Sequence, residues 1–437
     1  MFGYYFDLAL RSFRRNKVLT ALMVLAIALG IGACMTTLTV YHVLSGDPIP
    51  DKSHQLFYVQ MDPRNMDSYT PGDDPLFQMT RFDAQALLRE KRADRQAIMT
   101  AGSVAVEPDR QGLIPFRADG RYTSADFFAM FNVPFLYGNG WNATDDEARS
   151  RVVVIGKAFN ERVFGGGNSV GKSVRLQQTE FRVIGVLDEW SPTPRFYDIT
   201  GDRFGDGEEV FIPLSTSMDM KMGNDGDMTC WDDSNNGDPE GEHGVNAPCA
   251  WLQYWVELPT KDKADAYRQY LANYSDQQRQ AGRFTRPTNV RLSDVMTWLE
   301  KNNAVPSDVR MQMWMAFGFL LVCVVNTIGL LLAKFLRRSS EIGVRRALGA
   351  SRRAIFAQCL IESGTVGLAG GVLGLGLAML GLWAVRQQPV GYADMAHLDP
   401  AMLLTTFVIA VASSLLAGVL PAWHACQVAP AIQLKSQ

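Results

Sequence analysis

Residues Gly166-Gly-Asn-Ser-Val-Gly171-Lys172-Ser173 spell G-x-x-x-x-G-K-S, the pattern of a phosphate-binding loop. Such a loop follows a buried strand and opens a helix, whose first N–H groups cradle the phosphates. Here the order is inverted. The helix-like stretch KAFNERVF precedes the glycines, and the strand-like VRLQQTEFRVIGVL follows them. The segment is expected to be a helix-to-strand turn in which glycine supplies positive φ. Asp232, Ser234, Asn236 and Gly237 imitate the first half of a calcium loop, but His243 stands where an EF-hand needs a bidentate Glu. The five histidines, His42, His54, His243, His397 and His424, are scattered with no H-E-x-x-H pattern, and no G-x-S-x-G elbow occurs. The expectation is therefore no catalytic residue, no cofactor site and no metal site. Two cysteines, Cys230 and Cys249, fall in the long polar stretch, and the other four fall in or beside apolar runs. A Cys230–Cys249 bridge is the economical reading for an oxidising compartment; two free thiols are the alternative.

The elements that carry these residues are set by hydropathy. The chain has 437 residues. It contains four apolar runs, each near the length of about 20 residues that crosses a bilayer core. The resulting plan is an α-helical membrane protein with four transmembrane helices and a large mixed α/β extracytoplasmic domain inserted between helices 1 and 2. Its expected segments are a cytoplasmic amphipathic elbow helix (1–17), helix 1 (18–45), the inserted domain (46–310) and helix 2 (311–335). A cytoplasmic segment (336–354), helix 3 (355–386), a short outer loop (387–400), helix 4 (401–424) and a cytoplasmic tail (425–437) complete it. The first run is too long for a secretory h-region of about 7–15 residues, so it is read as an uncleaved anchor. Phe2, Phe6, Leu10 and Phe13 recur at helical spacing ahead of it, which suits an interfacial helix.

Orientation follows the basic residues. Arg11, Arg14, Arg15 and Lys17 precede helix 1. Lys334, Arg337, Arg338, Arg345, Arg346, Arg352 and Arg353 lie between helices 2 and 3, whereas the 3–4 turn has only Arg386. The 2–3 segment and both ends are expected inside, and the domain outside. Residues 46–310 hold 29 Lys and Arg against 40 Asp and Glu, a net charge of −11. An acidic outer face does not suit nucleic acid.

Within the inserted domain, alternation and turn residues predict strands at 55–61, 103–107, 114–122, 151–155, 173–177, 180–187, 209–213 and 251–258. Helices are expected at 81–91, 157–164 and 262–282, with Ser124 capping a short helix over DFFAMF. The Gly-, Asp- and Asn-rich stretch 198–249 reads as a long irregular loop.

The segment SSEIGVRRALGASRRAI should hold a short helix. Ser339 or Ser340 would cap it, Glu341 would sit in its favoured first turn, and Gly349 would end it. Ile342, Val344 or Ala347 would face one side and Arg345 and Arg346 the other. Such a helix could dock into a groove of a motor domain, or the segment could be an ordinary basic loop that sets topology. In helix 3, Gly367–Gly371 and Gly370–Gly374 give two G-x-x-x-G spacings, for packing on helix 4 or for a subunit interface.

With these residues in view, SSEIGVRRALGASRRAI and the IES that follows resemble the coupling segment of MacB/FtsX-type ABC transporter permeases. VLPAWHACQVAPAIQL resembles that family's closing signature, and Phe127–Leu187 resembles the MacB-type periplasmic core domain. The resemblance implies an inner-membrane, multi-pass subunit with its large domain in the periplasm. It implies a second permease subunit, identical or paralogous, and a pair of ABC ATPase subunits, here expected as a separate protein. Glu341, Ile342, Gly343, Arg345, Arg346, Ala347, Gly349 and Ala350 are the residues it assigns to ATPase coupling. A periplasmic membrane-fusion adaptor and an outer-membrane channel are further partners of some such systems. The expected function is to transmit ATPase motion to the outer domain and drive export or extraction of a substrate. The alternative is a non-transporting FtsX-like regulator that activates a periplasmic cell-wall hydrolase.

Overall fold

The structure is a computed structural model describing residues 17–109, 112–201, 203–205, 207–232, 238–388, 397 and 400–427. The expected elbow helix lies outside these residues apart from Lys17. So do residues 233–237 of the calcium-like stretch, most of the 3–4 loop and the end of the tail. The chain forms two compact units, Gly46–Ala304 and the flanking segments 1–45 with 305–437.

The inserted unit is built on one sheet. Its strands are β1 Leu56–Met61, β2 Met79–Thr80, β3 Arg95–Glu107, β4 Phe116–Thr123, β5 Phe135–Gly138, β6 Val152–Ile155 and β7 Ser173–Leu176. They continue as β8 Thr179–Leu187, β9 Val210–Pro213, β10 Asn224–Asp225, β11 Thr229–Cys230, β12 Cys249–Glu257 and β13 Val290–Asp294. The main order is β13-β1-β12-β3-β4-β9-β6-β8-β5. Most pairs are antiparallel, whereas β4 with β9 and β6 with β8 are parallel. β12 is buried along its whole length because β1 and β3 flank it and both faces are covered. That explains its nearly unbroken apolar run.

One face carries the helices Arg81–Glu90 and Lys261–Gln280. The second helix buries Ala264, Tyr267, Leu271 and Tyr274, one stripe at helical spacing. Asp83 joins the two: it accepts from the Tyr274 hydroxyl at 2.8 Å and pairs with Arg283 at 2.8 Å. The other face is an aromatic core of Tyr58, Phe127, Phe131, Phe196, Tyr197, Trp255 and Trp298. Its indoles find acceptors, with Trp255 donating to Tyr197 O at 3.0 Å and Trp298 to Phe196 O at 3.2 Å.

Several local expectations change. The β7–β8 turn is Gln177-Gln178, with φ of 48° and 63°, so β7 ends and β8 begins one residue earlier than the expected strands 173–177 and 180–187. This is the doubly positive two-residue loop that matches strand twist. Ser124 does not cap a helix; its hydroxyl accepts from Ile98 N at 3.2 Å, extending the β3–β4 contact, and the short helix Phe127–Met130 has no side-chain cap. The stretch 198–249 is not one irregular loop. It contributes β9, the helix Leu214–Asp219, and β10 and β11 pairing with β3 and β12. The glycine-rich phosphate-loop imitation lies between the helix Lys157–Phe164 and β7, and Lys172 Nζ rests over the Phe164 ring at 5.2 Å.

Cys230 and Cys249 are joined by a disulfide across the β11–β12 pair, 19 residues apart in sequence. Loop-closure entropy for such a spacing is worth about 3 kcal/mol. Non-reducing mass spectrometry of the mature protein should recover the linked peptides; thiols alkylated without reductant would contradict the pairing.

Burial pushes the Asp146 carboxyl up to about 7, although its Oδ2 accepts from Ala125 N at 2.8 Å. An unfolded Asp titrates near about 3.9. Between these values the folded chain keeps a proton that the unfolded chain has lost, so stability falls as pH rises through that window. Asp146→Asn should flatten this slope. Melting temperatures of wild type and variant at about pH 5 and about pH 7 check it; parallel changes in the two proteins would contradict it.

Among the described residues of the second unit, four helices are long and apolar enough to span a membrane: Lys17–Ser45, Ser307–Arg337, Arg352–Arg386 and Pro400–Gln427. The glycines of the third helix face two neighbours. A Cβ on Gly371 would meet Ala410 of the fourth helix at 2.7 Å. One on Gly370 would meet Ile27 of the first at 2.7 Å, and one on Gly374 would meet Ile31 at 3.0 Å. Both spacings therefore serve packing within this chain, and one of them serves the first helix rather than the fourth.

Candidate functional site

The second membrane helix ends at Arg337, and a separate helix runs over Ser339–Ala347. Its N-cap position is Arg338, without a side-chain cap. Ser339 and Ser340 thus lie inside the helix and do not cap it, because the chain turns a residue earlier than their capping would need. Gly349 terminates it with φ of 99°. The Gly349 N–H bonds Arg346 O at 3.1 Å, and the Ala350 N–H bonds Arg345 O at 3.0 Å. A left-handed residue at this point suits glycine and turns the chain out of the helix. Ser351 then starts the third membrane helix, its hydroxyl accepting from Ala354 N at 3.2 Å.

The helix is held by charge. Lys334 and Glu362 are both buried and pair at 2.7 Å. Arg338 bonds the other oxygen of Glu362 at 3.2 Å and also reaches Glu341 at 3.3 Å. Glu341 in turn pairs with Arg345 at 2.9 Å, and Arg345 donates to Gln358 Oε1 at 3.1 Å. A continuous chain of alternating sign thereby joins the end of the second membrane helix, the short helix and the third membrane helix. Arg346 adds a tie to the fourth, donating to the Cys426 carbonyl at 3.2 Å.

The expected grouping of Ile342 with Val344 and Ala347 on one side is not kept: Ile342 packs inward, whereas Val344 and Ala347 are exposed. Arg345 and Arg346 are half-buried anchors, Gly343 is buried, and Ile342 packs against the membrane-helix core. The exposed stripe is Ser340, Val344, Ala347 and Leu348, with Val344 51% and Leu348 83% exposed. Glu341 and Ala350 are partly buried and Gly349 is exposed. Sequence reasoning missed Lys334, Gln358 and Leu348. Intramembrane charges at Lys334 and Glu362 were the available signal, since such groups are costly unless paired.

Three buried hydroxyls elsewhere in the helical unit bond back to their own helices. Thr327 donates to Cys323 O, Ser363 to Cys359 O and Thr406 to Met402 O. Each is satisfied at i−4.

Comparison with known proteins gives a consistent result. Residues 20–274 match the MacB-like periplasmic core domain, and residues 313–430 match the FtsX-like permease C-terminal domain. The chain is 23% identical over 431 residues to the pyoverdine export ATP-binding/permease protein PvdT of Pseudomonas aeruginosa, covering 97% of this chain and 57% of that protein. It is 26% identical over 440 residues to the macrolide export ATP-binding/permease protein MacB of Salmonella paratyphi A, covering 95% and 58%. The chain thus spans less than two thirds of the length of these relatives. Among solved structures, the periplasmic region of MacB from Actinobacillus actinomycetemcomitans aligns with 58% of this chain and 95% of its own, at 15% identity and a TM-score of 0.37. Two family matches, one over the first helix and most of the inserted domain and one over the last three membrane helices, identify the chain as a member of the MacB/FtsX-type ABC transporter permeases.

Proposed function

We propose that this chain is the permease subunit of a MacB-type ABC transporter that works by mechanical transmission. An ABC ATPase docks on the exposed stripe of the Ser339–Ala347 helix, and its closure moves the membrane helices. Their motion reaches the inserted domain in the periplasm and drives export or extraction of a substrate across the inner membrane. Two permease subunits, alike or paralogous, and two ATPase subunits make up the working unit, with an adaptor and outer-membrane channel as further partners. The observation that carries this reading is the bracing of the short helix. Its arginines and Glu341 are spent on ties to its own chain, while Val344 and Leu348, one turn apart, stay exposed. A rigidly held helix with a free apolar stripe is suited to helix-in-groove docking.

The direction of transmission can be tested by labelling. Gln277 and Ser340 are both exposed. Gln277→Cys should react with an impermeant thiol reagent in intact spheroplasts, and Ser340→Cys only after lysis. The opposite pattern would overturn the proposed sidedness.

A further inference from the structure

The third and fourth membrane helices meet through small residues. A Cβ on Gly367 would collide with Ser414, one on Gly371 would meet Ala410 at 2.7 Å, and one on Gly418 would collide with Ser363. Beside this seam lies a groove of about 420 Å³, with Ala357, Leu360, Gly364 and Leu368 on one wall and Val411 and Leu415 on the other. Gly364 is open: the nearest atom to a Cβ there is Leu415 Cδ2 at 3.9 Å. Thr365 also lines the groove, but its hydroxyl donates to Glu362 O at 2.8 Å, so the walls present carbon. Water does not fill an apolar space of this kind, and an empty one forfeits dispersion contacts.

The groove has the depth of one leaflet. From Ala357 to Leu368 the helix rises about 16 Å, against about 30 Å for the whole hydrocarbon core. Its surface end is basic. Arg353 lies one turn before Ala357 on the same helix face and is exposed. Helical side chains lean toward the N-terminus, so its guanidinium extends from the groove toward the membrane surface. Among the described residues it has no ion-pair partner. The Cys426 thiol donates to Arg352 O at 3.5 Å, which brings the end of the fourth helix to this level. Trp423, one turn deeper on that helix, is 55% exposed, as amphipathic indoles are at a membrane surface.

We propose that this groove binds one acyl chain of an anionic phospholipid, whose phosphate pairs with Arg353 and whose ester oxygens face the Trp423 indole. A zwitterionic headgroup would bring a cation beside Arg353 and the exposed Arg352, so net negative charge is preferred. The inference needs only that these helices lie in a bilayer. It stands apart from the ATPase-docking reading and survives its failure.

The test is native mass spectrometry of the full-length protein released from nanodiscs of equal palmitoyl-oleoyl phosphatidylglycerol and phosphatidylcholine, which counts retained lipids and chains together. The wild type should keep phosphatidylglycerol in preference by roughly threefold to tenfold, the worth of about one basic residue beside an anionic headgroup. Arg353→Gln should keep lipid and lose that preference. Gly364→Phe puts a ring into the groove and should release one lipid per chain. Gly376→Phe is the control: Gly376 is exposed on the same helix outside the groove, a Cβ there would meet nothing within 4 Å, and lipid should stay. Equal retention of the two lipids by the wild type, an unchanged preference in Arg353→Gln or an unchanged lipid count in Gly364→Phe would overturn the proposal. Loss of a second copy rather than of lipid in Gly364→Phe would do the same, and would assign the groove to a contact between chains. Arg353→Gln is a surface change and keeps the test decisive if Gly364→Phe does not fold.

Discussion

Replacing Arg121 with leucine should destabilise the inserted domain by about 3–5 kcal/mol, the cost of stripping one partner from a buried ion pair. Arg121 bonds Asp198 at 2.6 Å and donates from Nε to Glu208 at 3.0 Å, and all three side chains are buried. The Tyr197 hydroxyl donates to the second Glu208 oxygen at 2.7 Å, and Arg195 lies 3.6 Å from the first. Without Arg121, two carboxylates would stay in the interior with only part of their compensation. A domain stable by about 5–15 kcal/mol would lose a large share of that stability. Thermal unfolding of the full chain measures it, with Arg151→Leu as comparison. Arg151 pairs with Asp219 at the surface, and such pairs contribute about 0–1 kcal/mol. Equal melting shifts for the two variants would contradict the argument.

The same network sets an acid limit. Burial pushes the Asp198 and Glu208 carboxyls up, but the charge of Arg121 outweighs it and holds both below their ordinary values. Carboxyls depressed in the folded state contribute stability that is complete above their unfolded values, near about 4, and lost as pH falls below them. This window lies below that of Asp146, whose carboxyl is shifted the other way.

The four membrane helices were legible because each is a long run of one composition, and bilayer thickness fixes its length. The strands at 152–155, 179–187 and 249–257 were legible because buried strands read as short apolar runs. The Arg121 network was not. Asp198 and Glu208 sit in a Gly- and Asp-rich stretch where acids look solvated, and their partner lies 77 and 87 residues away. The short helix of the candidate site was found by its motif and by Gly349, but which of its sides is buried was not. Local amphipathicity only separates Arg345 and Arg346 from the apolar residues; their acceptors, Gln358 and the Cys426 carbonyl, come from other helices. Only the assembled unit shows that the arginines are tethers and Val344 and Leu348 the free surface.

The largest functional effect is expected from that surface. Leu348 is 83% exposed, so Leu348→Asp removes little packing within the chain. Val344→Asp acts on the same stripe. Surface changes of this kind usually alter stability by about 0.5 kcal/mol or less. Gly349→Val differs: its Cβ would meet nothing within 4 Å, but φ of 99° disfavours a β-branched residue and would distort the end of the helix. Glu341→Lys is a poorer probe, because it would place a cation between Arg338 and Arg345 and break the brace as well as any contact. Burying one or two aliphatic side chains in a groove is worth about 1.5–3 kcal/mol each. Losing both should weaken ATPase docking by at least tenfold, since about 1.4 kcal/mol corresponds to that factor.

The most direct measurement is ATP turnover and co-purification of the ABC ATPase with the Val344→Asp, Leu348→Asp double variant in lipid. Melting of the inserted domain should be recorded alongside. The expected result is a folded protein that no longer retains the ATPase or stimulates its turnover. A folded double variant with wild-type retention and turnover would mean that this helix is not where the motor engages.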